Sequence, residues 1–133
     1  MNKDSWTKDN GGAIPPNLLQ YSNCESNSQY LRYCKVIGIK GHPARFPPSF
    51  PEFFIKFLTE ENDTVVDIFG GSNTTGQVAE SLNRKWISFE LSQEYVASSA
   101  FRFSETEEDA KKHFYSIMNG EYIEILPNQL TIF

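Results

Sequence analysis

The sequence predicts an α/β fold in which about three parallel strands carry flanking helices. Three observations lead to it. Asp67 to Gly76, DIFGGSNTTG, reads as a buried strand breaking into a Gly-rich turn that opens a helix. Segments of strand and helix period alternate from Val65 to Phe103, the pattern of a parallel sheet with right-handed crossovers. At 133 residues, 39% apolar and 14% aromatic, the chain has material for one domain with a modest core.

Each element follows from its local pattern. Residues 1–16 are polar, Gly-containing and proline-terminated, and are expected to be a flexible arm or linker remnant ahead of a domain at 17–133. A short helix is predicted around Gln29 to Ile37. The segment HPARFPPSFP, His42 to Pro51, is held extended by its prolines. Pro51 suits the first turn of a helix reaching about Thr59, with Phe54, Phe57 and Leu58 sharing a face and Glu52 near the favourable N-terminal end. Strand, helix, strand, helix then follow at Val65 to Phe69, Thr75 to Asn83, Trp86 to Glu90 and Gln93 to about Phe103. In the first of these helices Val78, Ala79 and Leu82 share one face. A last amphipathic helix over Glu107 to Met118 presents Ala110, Phe114, Ile117 and Met118, and Asn119-Gly120 stops it. Tyr122 to Leu126 alternates as a third strand would.

Charge and composition exclude several classes of function. With a formal net charge of −5 and a pI near 5.0, the chain lacks the basic face of a free-standing nucleic-acid binder. Any DNA contact must be local or supplied by another part. Cys24 and Cys34 have no metal-ligand spacing and read as free thiols of a cytoplasmic protein. No secretory leader pattern or membrane-length apolar run occurs, and neither a metal site nor a membrane role is expected.

The glycine turn is the place to look for chemistry. Gly70 and Gly71 permit a sharp turn and close backbone approach to a ligand, and the following helix starts with unpaired N–H donors. Glu90 ends the second strand twenty-three positions beyond Asp67. An acid about twenty residues past such a turn can accept both hydroxyls of a ribose. Its alternative role is to cap the next helix. Two phosphate motifs fail on inspection. Gly71 and Gly76 have P-loop spacing, but Gln77 replaces the lysine and Val78 the hydroxyl residue. Ser72 stands where a dinucleotide fingerprint needs its second glycine. What remains is a small adenosyl ligand without phosphates.

The order HPARFP, Phe54 to Thr59, DIFGGSNTTG, RKWISFE, EYVASSAFRF resembles the C-terminal half of the β-class DNA amino-methyltransferases, in its PvuII-type cytosine-N4 branch from restriction-modification systems. The segment from Lys8 to Leu31 is similar to the stretch preceding HPARFP in that branch, and the resemblance fades beyond Phe103. It implies S-adenosyl-L-methionine as cofactor and a partial Rossmann-like methyltransferase sheet, incomplete without an N-terminal half. Asp67, Phe69, Gly70, Gly71, Ser72 and Asn73 would form the cofactor motif, with Phe69 at the adenine. Glu90 would be the ribose acid, and the segment opening with His42 and Pro43 would close over the methionine end. Asn23, Ser26 and Asn27 are further candidates for the same pocket. Asn73 departs from the usual FxGxG pattern by replacing its second glycine. Trp86 is expected to be structural and Trp6 peripheral.

The resemblance also implies what these residues lack. Family enzymes flip the target base and hold its amine with Ser or Asp followed by Pro-Pro and an aromatic residue. Here IPPN at Ile14 to Asn17 and FPPS at Phe46 to Ser49 lack that form, so no catalytic residue is expected within the chain. In the family's sheet order the strand from Val65 would be an unpaired edge. The expected partners are the N-terminal half or a second subunit, a homodimer as substitute, and double-stranded DNA in the assembled enzyme. The reading is a cofactor-binding part of a site-specific cytosine-N4 DNA methyltransferase. Its alternatives are a non-catalytic cofactor-binding remnant and part of an adenine-N6 enzyme.

Overall fold

The computed structural model describes residues 18–22, 28–121, 123 and 129–132. The expected arm at 1–16, together with Trp6, Asn23, Cys24, Ser26 and Asn27, lies outside the described residues, as does most of the strand expected at 122–126.

Helix α1 spans Gln29–Ile37, as its pattern predicts, starting from Ser28, whose hydroxyl accepts the Leu31 N–H. It buries Tyr30, Tyr33 and Cys34. Helix α2 spans Ser49–Leu58 and carries Glu52 in its first turn, ion-paired to Lys56 one turn on. Its buried residues are Pro51, Phe53 and Ile55. Phe54, Phe57 and Leu58 share a face, as expected, and it is the outer one, exposed by 39%, 53% and 68%. This helix is apolar nearly all round, so neighbours decide which side is buried. Ile55 packs with Val78, Ala79 and Trp86, and nothing among the described residues covers Phe57 and Leu58.

Strand β1, Thr64–Asp67, runs parallel to β2, Lys85–Ser88, with Val65 opposite Trp86 and Asp67 opposite Ser88. A third strand, β3, occupies Gln129–Ile132 and pairs parallel to β2 on its other side, with an irregularity between Trp86 and Ile87. The sheet order is β1-β2-β3, so β1 is an edge among the described residues, as expected. Helix α3, Thr74–Ser81, joins β1 to β2 and buries Val78 and Ala79.

After β2, helix α4 covers Gln93–Ser99 and tightens into a 3₁₀ turn at Ala100–Arg102. One continuous helix was expected here. The Ser98 and Ser99 hydroxyls donate back to the carbonyls of Tyr95 and Val96, an arrangement that bends helices. Helix α5, Glu107–Met118, opens on a Thr106–Asp109 capping box and ends at Asn119-Gly120, where Gly120 takes φ 79°. Ala110 and Phe114 are buried and Ile117 packs beside them, while Met118 at the helix end is 37% exposed.

Two apolar clusters hold these elements. One joins α1, α4, the 3₁₀ turn and α5 through Tyr30, Tyr33, Cys34, Phe101 and Phe114. The other joins α2, α3 and β2 around Trp86, which is 1% exposed and stacks on Phe103 at 5.2 Å. Trp86 is thus structural, as predicted; truncating it would cost about 3–5 kcal/mol. Cys34 is a buried free thiol whose pKa burial pushes up.

Candidate cofactor site at the glycine turn

The parallel pairing of β1 and β2 brings their C-terminal ends together, and the candidate residues gather there. Asp67 ends β1 and closes the turn on itself: Oδ1 accepts the Phe69 N–H at 3.0 Å, and Oδ2 accepts the Thr75 hydroxyl at 2.6 Å. Phe69 is 83% exposed, so its ring is not part of the core. Gly70 donates to the Phe89 carbonyl at 2.8 Å and lies against the Ser88 hydroxyl.

At Gly71 the backbone takes φ 53°, and its N–H donates to Glu90 Oε2 at 3.0 Å. A Cβ here would sit 3.1 Å from the His42 ring, so glycine is required twice, by conformation and by approach. The other Glu90 oxygen accepts the N–H of Ser92, the N-cap of α4, at 2.9 Å. Glu90 therefore does cap the following helix, and it also ties the glycine turn to β2. A carboxylate has about four acceptor positions, so these two bonds leave room for a ligand's hydroxyls.

Ser72 and Asn73 are almost fully buried, at 3% and 1% exposure. Asn73 adopts the left-handed conformation, φ 58°, and its side-chain oxygen caps α3 by accepting the Gly76 N–H at 3.1 Å. Asparagine is among the few non-glycine residues that take this conformation readily, which explains how it replaces a glycine. Its amide nitrogen is buried with no hydrogen-bond partner among the described residues.

His42 covers the turn from the HPARFP side. Its backbone N–H donates to the Tyr30 hydroxyl at 2.9 Å, Nδ1 is 2.8 Å from the Ala44 carbonyl, and the ring packs edge-on to Tyr95 at 4.5 Å. A carbonyl only accepts, so this contact requires a proton on Nδ1. Pro43 is exposed beside it. His42, Gly70, Gly71, Ser72, Asn73 and Glu90 are thus brought together, Asp67 braces them, and Phe69 and Pro43 stand on the rim.

Arg102 and Tyr30 were not singled out by sequence. Arg102 is 7% exposed; Nε donates to the Ser72 carbonyl at 2.5 Å, Nη2 to the Ser72 hydroxyl at 2.9 Å and Nη1 to Gln77 Oε1 at 2.9 Å. Its guanidinium lies 5.0 Å over the Tyr30 ring. The available signal was a charge inside the apolar run AFRF, where a helix turns inward. Burial raises the pKa of Tyr30, so its hydroxyl stays protonated and accepts from His42.

A cleft of about 400 Å³ opens beside this site, between α2 and the free edge of β1, lined by Phe50, Phe54, Leu58, Val65 and Val66. Among the described residues no cluster of three His, Cys, Asp or Glu side chains could hold a metal ion, and no helix is long and apolar enough to cross a membrane.

Comparison with known proteins matches residues 2–101 to the DNA methylase family. The type II methyltransferase M.PvuII of Proteus hauseri is 63% identical over 124 residues, covering 91% of this chain and 37% of that protein. M.HpaI of Haemophilus parainfluenzae is 30% identical over 125 residues, covering 90% of this chain and 34% of its own length. In structure, the chain is similar to the PvuII DNA methyltransferase (cytosine-N4-specific), with a TM-score of 0.76 and 65% identity over 81% of this chain and 39% of that one. The chain therefore spans well under half the length of these relatives. From the family match and these likenesses in sequence and structure, the chain belongs to the DNA methylase family.

Proposed function

We propose that residues 17–133 are the S-adenosyl-L-methionine-binding C-terminal part of a site-specific cytosine-N4 DNA methyltransferase, with a partial Rossmann-like sheet. The observation that carries this reading is the hydrogen bond from Gly71 to Glu90, which joins the glycine turn and the strand-end acid in one half-buried corner. The residues present fit such a ligand. Glu90 retains acceptor capacity for ribose hydroxyls, Phe69 offers an exposed aromatic wall for adenine, and Asn73 carries an orphaned buried donor. Gln77, in the place of a phosphate-binding lysine, favours a ligand without phosphates. The His42–Pro43 segment, packed over Gly71, would cover the methionine end.

Bound S-adenosylmethionine supplies an activated methyl group. The chain's own contribution is to bind and orient it, so that attack by the target amine can be in line. A catalytic motif and most DNA contacts would come from the portion of the relatives' length that this chain does not span. The edge strand β1 and the apolar cleft beside it suit that portion, and the net charge of −5 supports a DNA surface located elsewhere in the assembly. Activity on DNA implies a cytoplasmic location. The cytosine-N4 assignment rests on likeness to the PvuII enzyme, and no specific observation favours adenine-N6.

Calorimetric titration of the chain with S-adenosylmethionine tests the proposal. Wild type should bind, and Glu90→Ala should bind about tenfold or more weakly, the value of hydrogen bonds to a charged acceptor. Absence of binding by the wild type would overturn it.

A further inference from the structure

We infer that Arg102 is a positioning residue that holds the glycine turn in its ligand-accepting shape and links it to the segment covering it. The role rests on the proposed cofactor site, but the geometry that supports it is independent of any ligand. Ser72 follows the two glycines, whose backbone is the least restricted by sterics. Its carbonyl and its hydroxyl are both taken by one guanidinium, at 2.5 and 2.9 Å. The third arm of that guanidinium reaches Gln77 on α3, so the turn and the helix it opens are held by one rigid planar group.

The same guanidinium lies 5.0 Å over the Tyr30 ring, and the Tyr30 hydroxyl receives the His42 N–H, whose ring rests on Gly71. A closed circuit results, running Arg102, Ser72, Gly71, His42, Tyr30 and back to Arg102. The glycine turn is clasped on both sides, with Arg102 beneath and His42 above. Lysine would keep the charge, but its three donors sit on one nitrogen and could not span the carbonyl, the hydroxyl and Gln77 as the planar fork does. The circuit predicts that the conformation of residues 70–74 depends on the fork rather than on the charge alone.

Two measurements on the full chain test this. First, amide hydrogen exchange without ligand should be faster at Gly71, Ser72 and Asn73 in Arg102→Lys, with amides of α1 and α5 unchanged. Second, Arg102→Lys should bind S-adenosylmethionine about ten- to a hundredfold more weakly, as expected on losing a charge-assisted hydrogen bond. Should Arg102→Lys fail to fold, Gln77→Met, which removes one anchor of the fork from a half-buried surface, should show the same exchange change on a smaller scale. In Arg102→Ala, millimolar guanidinium should restore affinity where ammonium does not. Unchanged exchange at the turn in a folded variant, or affinity within twofold of wild type, would overturn the role. If the wild-type chain binds no S-adenosylmethionine, the proposed function falls, and the exchange experiment alone decides whether Arg102 holds the turn.

Discussion

At the scale of single residues, Asn73 and Gly76 form a coupled pair. Asn73 takes φ 58° and turns its side chain back over the first turn of α3, leaving no volume at position 76. A Cβ on Gly76 would lie 2.4 Å from Asn73 Oδ1. Replacing glycine by alanine inside a helix ordinarily stabilises by about 1 kcal/mol. Here the sign should reverse, because the alanine expels a cap worth about 1 kcal/mol and disturbs a side chain that is 1% exposed. Gly76→Ala should lower the urea midpoint, and adding Asn73→Gly should recover part of the loss, since glycine keeps the positive φ and vacates the space. A Gly76→Ala chain as stable as wild type would refute the coupling. The sequence showed Asn73 as a departure from a glycine pattern. Its compensation at Gly76 became visible only when the two atoms were placed, because a helical glycine by itself signals nothing more than weak propensity.

Among the elements, legibility followed periodicity and stopped where neighbours decide. Helices α1 and α5 fall where their patterns put them, because caps at Ser28, Thr106 and Gly120 reinforce an amphipathic repeat. Which face of α2 is buried is not legible in the sequence, since Phe50, Phe53, Phe54, Ile55, Phe57 and Leu58 leave no strongly polar side to mark as outward. The strand at Gln129–Ile132 is not legible in the sequence, because four residues carry little pattern and it is the pairing with β2 that defines it. Of the candidate site, the approach of Glu90 to the glycine turn is legible from spacing; the place of Arg102 is not, since its partners Ser72 and Gln77 lie 30 and 25 residues away.

Helix α5 also carries a pH dependence. Partial burial lowers the pKa of His113 below 6.5, against the opposing pull of Asp109 and with a smaller push from Lys112, while Nδ1 lies 3.1 Å from the Ser104 hydroxyl. A depressed folded-state pKa means that the unfolded chain takes up the proton first. The stability His113 contributes is therefore present above 6.5 and is lost as pH falls through the lower folded value. The nearby carboxylate of Asp109 is held below its ordinary value chiefly by the Thr106 hydroxyl, so its contribution disappears at still lower pH. Urea midpoints of wild type and His113→Asn should differ most near neutrality and converge as the pH falls below 6.5. A difference independent of pH would exclude His113 as the titrating group.

For the whole molecule, the unequal distribution of apolar surface decides what it does in solution. Among the described residues β1 has one strand neighbour, Val66 is 54% exposed on it, and α2 turns Phe54, Phe57 and Leu58 outward beside the same edge. An apolar strand edge next to an apolar helix face is a surface that associates. The chain spans 37% of M.PvuII, and on the proposed function a counterpart of the portion it does not span would be the partner for this surface. Mixed with that portion of the PvuII enzyme, this chain should sediment as a complex and bind DNA with it, whereas its charge of −5 should leave it unable to shift DNA alone. Alone and concentrated, it should pair with a second copy through the same edge. Val66→Lys with Leu58→Lys places two charges in the cleft at positions where the side chains are already more than half exposed. Folding should therefore survive while both associations weaken. Sedimentation velocity across a concentration series would distinguish the outcomes. A wild-type chain that remains monomeric throughout and ignores the added portion would mean that the β1 edge is protected by its own residues, and the two-part assembly would have to be abandoned.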